Sequence, residues 1–289
     1  WDVQRVGPST GLPTRTAQSD ILSCYWLSHG DTRHVCLLPG SVNECFEFGW
    51  LAFDLAEEFQ TPIFVLSDLD LGMNMWITEP FAYPDKPMKR GKVMTAEDVD
   101  KNGFHRYRDV DGDGITYRTL PGTDHPQAAY FTRGSGHDTD ANLTEDSQVW
   151  LDNMVRLRRK FESVRESLPH PVVDLILGAE VGLIGFGSTD MAIEEARDRL
   201  EESGLETSYL RMRALPANQQ LADFIASHNR VYVVEMNLEG QLHKLIQLEF
   251  PEMASRVRSA AFLDGMPMTA ENITRIVQGI EREVQLDGN

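Results

Sequence analysis

Asp2-Val3-Gln4-Arg5-Val6-Gly7-Pro8-Ser9-Thr10-Gly11-Leu12-Pro13-Thr14 is the stretch on which the reading of this chain turns. It begins as the end of a strand and breaks into a loop of Gly, Pro, Ser and Thr, with Arg5 at the entrance. The glycines permit positive φ or close backbone approach, and the prolines stiffen the loop. Ser9, Thr10 and Thr14 add hydroxyls, and Arg5 adds a planar fork of donors suited to a carboxylate or phosphate. The segment that follows reads as a helix whose free N–H groups would also point toward the loop, so the pattern predicts a place to hold an anion. An ordinary strand-to-helix turn with an exposed arginine is the alternative.

Moving outward, Ala17 to Ser28 reads as that helix, with Ile21, Leu22, Tyr25 and Trp26 on one face. His34 to Leu38 is a short buried strand ended by Pro39-Gly40. Ser41-Val-Asn-Glu44 is a capping box that opens a helix to about Phe59, apolar around much of its circumference and therefore expected to be well buried. Thr61-Pro62 stops it, and Ile63 to Ser67 is the next strand, ended by Asp68. Strands alternating with helices across short turns argue for a parallel α/β sheet.

From Thr78 to about Asp146 this rhythm fails. Pro, Gly, Asp and Lys dominate, and the stretch reads as a long connection, not a second core. Ser147 to Leu168 is an amphipathic helix with a stripe of Trp150, Met154, Leu157, Phe161, Val164 and Leu168. Arg156, Arg158, Arg159 and Lys160 lie largely off the stripe and read as a solvated basic face. Pro169-His170-Pro171 is a rigid break, taken as a domain boundary. Beyond it strands are expected at Val172–Leu177, Val181–Phe186, Thr207–Arg213, Arg230–Met236 and Ser255–Leu263. Helices are expected at Met191–Ser203, Ala217–Ser227, Gly240–Leu248 and Thr269–Val284, which together describe a doubly wound domain.

A chain of 289 residues, 41% hydrophobic, has room for about two domains. A net charge of −18 argues against nucleic acid or an anionic membrane as partner, without excluding a local basic pocket around Arg5 and Arg15. No apolar run is long enough to span a bilayer, and the opening Trp-Asp has no signal-peptide character. A start directly in strand and motif is read as the later part of a longer subunit. Cys24, Cys36 and Cys45 have no metal-binding spacing and read as buried free thiols of a reducing cytoplasm.

Three other patterns have simpler explanations than chemistry. Gly185-x-Gly187 after a strand lacks the third glycine of a dinucleotide loop, with Asp190 in its place, and Ser188 or Thr189 as a helix cap accounts for it. Asp109-x-Asp111-x-Asp113-Gly114 copies half an EF-hand loop, but Leu120 stands where the bidentate glutamate belongs. His105, His125 and His137 have no zinc spacing, although His137 with Asp138 could form a hydrogen-bonded pair.

The opening string resembles the α subunit of the 2-oxoacid:ferredoxin oxidoreductases, the 2-oxoglutarate branch in particular. Every fixed position of Asp-x-Gln-Arg-x-Gly-Pro-Ser-Thr-Gly-x-Pro-Thr is present. Gly185-Phe-Gly187-Ser-Thr and Glu235-Met-Asn237-Leu-Glu-Gly240-Gln-Leu agree with that family's C-terminal domain, and pieces of the long connection match its insertion. The resemblance implies an α/β fold: residues 1–168 as the later part of a thiamine-enzyme pyrimidine-type domain, with an insertion at about 78–146. Residues 172–289 would follow as a transketolase C-terminal-like domain. It implies thiamine diphosphate, Mg2+ and 4Fe–4S clusters held mainly by a partner β subunit, coenzyme A as co-substrate, and ferredoxin as electron acceptor. The upstream part of the same α subunit would be a further partner. Arg5 and Thr14 would contact substrate, Ser9 and Thr10 would hold the loop's shape, and no catalytic or metal-binding residue is assigned in this chain. A non-catalytic assembly subunit, pyruvate or broad 2-oxoacid specificity, and a calcium-binding module on Asp109–Gly114 are the alternatives.

Overall fold

The computed structural model describes residues 1–132 and 134–287. The strands are β1 (Asp2–Val6), β2 (Leu12–Thr16), β3 (Val35–Leu37), β4 (Ile63–Asp68), β5 (Val172–Asp174), β6 (Val181–Phe186), β7 (Thr207–Met212), β8 (Ala214–Leu215), β9 (Arg230–Glu235) and β10 (Val257–Ala261). The helices are α1 (Ile21–Tyr25), α2 (Val42–Phe59), α3 (Leu69–Met73), α4 (Ala96–Asn102), α5 (Ser147–Val164), α6 (Thr189–Glu202), α7 (Gln219–Ala226), α8 (Gln241–Glu249) and α9 (Ala270–Asp287).

The chain forms two compact units. One joins Trp1–Ala52, Ile63–Tyr83 and the chain from Leu168 onward; the other joins Phe53–Pro62 with Pro84–Ser167. One boundary between the units falls between Ser167 and Leu168, beside the Pro169-His170-Pro171 break, while the chain from Leu168 onward joins the first segments in the larger unit. β8, from the C-terminal half, pairs with β3, so both halves build the first sheet.

Within the larger unit that first sheet has the order β2-β1-β4-β3-β8, with β1, β4 and β3 mutually parallel. The second has the order β10-β9-β6-β7-β5, parallel except for the edge strand β5. β6 is buried at every position, as a central strand covered on both faces must be. Its side chains join Ile193, Ala196 and Leu200 of α6 and Ile273 and Val277 of α9 in one apolar cluster. The fold is thus α/β with two sheets, and the later strands and helices fall within a few residues of their sequence expectations.

Two expectations near the start fail. The helix expected over Ala17–Ser28 shrinks to Ile21–Tyr25, because Ala17 to Asp20 takes no helical form and is held by buried hydrogen bonds to distant residues. The loop after Arg5 therefore leads into a strand, and the first sixteen residues form a β-hairpin. α2 does start at its Ser41 cap, whose hydroxyl accepts the Glu44 N–H at 3.1 Å. The Glu44 carboxylate accepts from the Gly40 N–H (2.8 Å), Arg211 (2.6 Å) and Arg213 (2.7 Å). Burial pushes its pKa up, but the Arg211 and Gly40 bonds and the two arginine charges outweigh that, and it lies below the ordinary glutamate range.

In the smaller unit the stretch read as a connection folds around its own small core of Met94, Val99, Ile115, Ala128 and Ala141 with Leu55, Phe59 and Val164. Side-chain-to-backbone turns build it where periodic elements are missing: Asp109 accepts from Gly112 and Gly114, and Asp138 from Asp140 and Asn142. Phe53 of α2 is 63% exposed, contrary to the well-buried helix expected, and it is the neighbouring Asp54 that turns inward to accept the Lys89 N–H at 2.9 Å. α5 also departs from its amphipathic reading. Asn153, Arg156, Lys160 and Ser163 turn inward and donate to the carbonyl oxygens of His137, Gly114, Gln60 and Asp113. Trp150 and Leu157 of the apolar stripe stay partly exposed. The basic face is therefore not a solvated one at Arg156 and Lys160.

Candidate functional site: the β1–β2 hairpin and its buried clamp

β1 alternates. Gln4 points inward and is buried, while Val3 and Arg5 point outward, as period-two geometry requires. Arg5 pairs in register with Thr16, and a bulge follows between Arg5 and Val6. Gly11, at φ +50°, turns the loop where a Cβ would collide with the Val6 carbonyl. Ser9, Thr10 and Thr14 lie on the exposed loop and edge strand. Arg5 is exposed too, and among the described residues its guanidinium has no hydrogen-bond or ion-pair partner. Arg15 folds back on Thr14, donating to its carbonyl oxygen at 3.2 Å and its Oγ1 at 3.5 Å. The four site residues read from the sequence therefore share one hairpin.

The hairpin's base is pinned. The Thr16 N–H donates to the Gly265 carbonyl oxygen (3.1 Å), and the Thr16 Oγ1 accepts from the Asp70 N–H (3.3 Å). Two residues on, Gln18 is fully buried. Its side-chain amide donates to the Phe186 carbonyl oxygen (2.9 Å) and to Asp68 Oδ2 (3.3 Å), and its Oε1 accepts from the Met236 N–H (3.1 Å). Its backbone N–H donates to the Met236 oxygen (2.7 Å), and its backbone oxygen accepts from Asn237 Nδ2 (2.9 Å). Asp68 also accepts from the N–H groups of Ser188 (3.1 Å) and Leu71 (3.2 Å). Burial pushes the Asp68 pKa up, and the bonds from Ser188, Leu71 and Gln18 recover only part of that.

This clamp explains the two glycine-bearing signatures. Gly187 (φ +62°) sits where a Cβ would lie 2.6 Å from Gln18 Nε2 and 3.0 Å from Asp68 Oδ2. The start of α6 takes no side-chain cap from Ser188; Asp68 accepts the Ser188 N–H, and Thr189 Oγ1 bonds the Phe186 oxygen at 2.7 Å. Asp190 is occupied by Tyr209 (2.8 Å) and Arg211 (3.0 Å). In the second signature, buried Glu235 accepts from Leu242 and His243 at the start of α8, and Asn237 Oδ1 accepts from Gly240. These residues hold strand ends and helix starts, and sequence reasoning missed Gln18 because it placed it inside a helix.

The remaining patterns resolve structurally. Lys92 pairs with Asp111 (2.6 Å) and Asp113 (2.8 Å), and Arg159 with Asp109 (2.7 Å), so lysine and arginine neutralise the aspartate turn. His137 bonds the Ser135 oxygen rather than Asp138, which is held by Asn142; His105 pairs with Asp140 and His125 with Asp100. Among the described residues no group of three or more His, Cys, Asp or Glu is placed to hold a metal ion. Cys36 is buried, and Cys24 and Cys45 are half-buried rather than buried. Burial first, and then neighbouring carboxylates, push both half-buried thiols up to about 11, away from reactive thiolate character. No helix among the described residues is long and apolar enough to cross a membrane.

Residues 1–128 match the family model described as pyruvate flavodoxin/ferredoxin oxidoreductase, thiamine diphosphate-binding. Over most of its length the chain is similar to α subunits of the 2-oxoacid:ferredoxin oxidoreductases. It is 35% identical over 250 residues to subunit alpha of 2-oxoacid:ferredoxin oxidoreductase 2 of Aeropyrum pernix, covering 84% of this chain and 38% of that one. It is 31% identical over 259 residues to the 2-oxoglutarate synthase subunit KorA of Methanothermobacter marburgensis, covering 85% and 64%. Among solved structures, the 2-oxoglutarate:ferredoxin oxidoreductase of Magnetococcus marinus, with 2-oxoglutarate, coenzyme A and succinyl-CoA bound, superposes with a TM-score of 0.83. The sequences are 30% identical, and the match covers 96% of this chain and 47% of that one. The chain thus spans between about two fifths and two thirds of the length of these relatives.

Proposed function

We propose that this chain is the part of a 2-oxoglutarate-type 2-oxoacid:ferredoxin oxidoreductase that grips the acid end of the substrate with the β1–β2 hairpin. The reaction would be oxidative decarboxylation of 2-oxoglutarate with coenzyme A as acyl acceptor and ferredoxin as electron acceptor, or its reverse. The observation that carries the reading is an exposed arginine without a partner on a hairpin whose base is locked by buried hydrogen bonds. A guanidinium left free by its own chain offers two parallel donors to a carboxylate, and a fixed base keeps them in place. The Thr14 hydroxyl adds a weaker contact, and Ser9 and Thr10 keep the loop's shape.

Thiamine diphosphate, when bound, supplies the electron sink for decarboxylation. The chain's donors suit the substrate's carboxylate, whereas no metal-binding group of carboxylates, imidazoles or thiols stands among the described residues. As the resemblance to the 2-oxoacid:ferredoxin oxidoreductases implies, we assign the magnesium diphosphate and the 4Fe–4S cluster to a partner β subunit, in a cytoplasmic complex. Turnover of pyruvate, 2-oxobutyrate and 2-oxoglutarate by the assembled enzyme tests the substrate. Preference for 2-oxoglutarate by at least tenfold in kcat/KM supports the reading, and equal or better use of pyruvate contradicts it.

A further inference from the structure

We propose that Gln18 is a positioning residue for Arg5, an inference that rests on the substrate-binding role given to Arg5 above. Gln18 stands two residues beyond Thr16, the register partner of Arg5. It bonds at the C-terminal ends of strands from both sheets: β4 of the first through Asp68, β6 of the second through Phe186, and Met236 just past the end of β9 in the second. The next tie closes a ring. The Asp20 N–H, two residues further on, donates at 3.0 Å to Gln4 Oε1, and Gln4 adjoins Arg5. Gln4 Nε2 in turn donates to the Ser67 oxygen of β4 at 3.3 Å. Arg5 is thereby located from both sides, across the ladder through Thr16 and along its own strand through Gln4.

A position needed only for filling would take leucine or methionine. A fully buried glutamine costs desolvation of two donors and an acceptor, and recovers it only when Phe186, Asp68 and Met236 stand at one set of positions. Satisfied networks of this kind specify one arrangement, where apolar packing tolerates several. That suits an arginine that must meet a carboxylate within a few tenths of an ångström, since small misplacements cost large factors in rate.

A double-mutant cycle on the assembled enzyme tests this, with Gln18→Met, Arg5→Ala and the pair assayed for kcat and KM with 2-oxoglutarate and for KM with coenzyme A. Gln18→Met is expected to lower kcat/KM for 2-oxoglutarate at least tenfold, to leave the KM for coenzyme A unchanged, and to cost less than twofold in the Arg5→Ala background. If Gln18→Met fails to assemble, Asp68→Asn, which keeps the size and removes part of the acceptor set, is put through the same cycle. Equal cost of the clamp variant with and without Arg5, or no cost at all, overturns the positioning role while leaving Arg5 in the site. An Arg5→Ala enzyme with unchanged kinetics overturns the reading of Arg5 itself, and the positioning role with it.

Discussion

Two regions bury polar groups by opposite means. Around Gln18 in the larger unit, an amide and a carboxylate are surrounded by backbone N–H and C=O groups, and the polar atoms of the Gln18 and Asp68 side chains are engaged. Around α5 in the smaller unit, cations are brought in against carbonyl and neutral side-chain oxygens. Lys160 donates to the Gln60 oxygen (3.2 Å), Arg156 to the Gly114 oxygen (3.0 Å) and Arg106 to Gln60 Oε1 (2.8 Å), while the Nε atoms of Arg106 and Arg156 have no partner. Burial first, then the Arg156 and Arg106 charges, push the Lys160 amine down to about 8. The first arrangement fixes strand ends against one another. The second holds loops onto a helix at an electrostatic cost.

The largest effect separating the two is expected from Asp68→Ala. It strands the N–H groups of Ser188 and Leu71 and one Gln18 donor, and should cost about 3 kcal/mol or more of unfolding free energy, read by denaturant titration. A loss below about 1 kcal/mol would show the clamp to be dispensable.

Lys160→Met should act in the other direction and gain about 1–2 kcal/mol at neutral pH, because relief of a buried charge exceeds the loss of one carbonyl's donor. The folded amine titrates near 8 and the unfolded one near the ordinary 10.5. Between these values the unfolded chain holds a proton that the folded chain has released, so wild-type stability rises with pH there and the variant's advantage fades. Stability profiles from pH 7 to 10.5 check this; an advantage that grows with pH would mean the lysine is not destabilising when charged.

The smallest effect is expected at the outer side of α5, where Leu151 is 47% exposed. Leu151→Gln should change stability by no more than about 0.5 kcal/mol. A loss near 2 kcal/mol would place that face in contact with something in the assembled protein.

Legibility followed the same divide. The strands and helices after Val181 were readable because each buries a continuous or periodic apolar set, as β6 and α9 do. In the smaller unit α5 was readable from Ser147 onward by its apolar stripe, but the Asp109 and Asp138 turns carry no apolar period, and nothing in the pattern marked Asn153, Arg156 and Lys160 as inward-facing. The hairpin was misread as a strand-to-helix turn, since Ile21 to Trp26 has helical spacing while Ala17 to Asp20 is held out of the helix by distant partners such as Met236. Arg5, Ser9, Thr10 and Thr14 stood out through their motif. Gln18 and Asp68 did not, because a buried glutamine and a strand-end aspartate announce nothing until the strands that meet them are in place.

The central claim is that Arg5 holds the acid end of a keto acid. Steady-state kinetics of the assembled enzyme carrying Arg5→Ala, with 2-oxoglutarate as substrate, test it most directly. The account predicts at least a tenfold loss in turnover or rise in apparent KM without unfolding. Kinetics indistinguishable from wild type would contradict it.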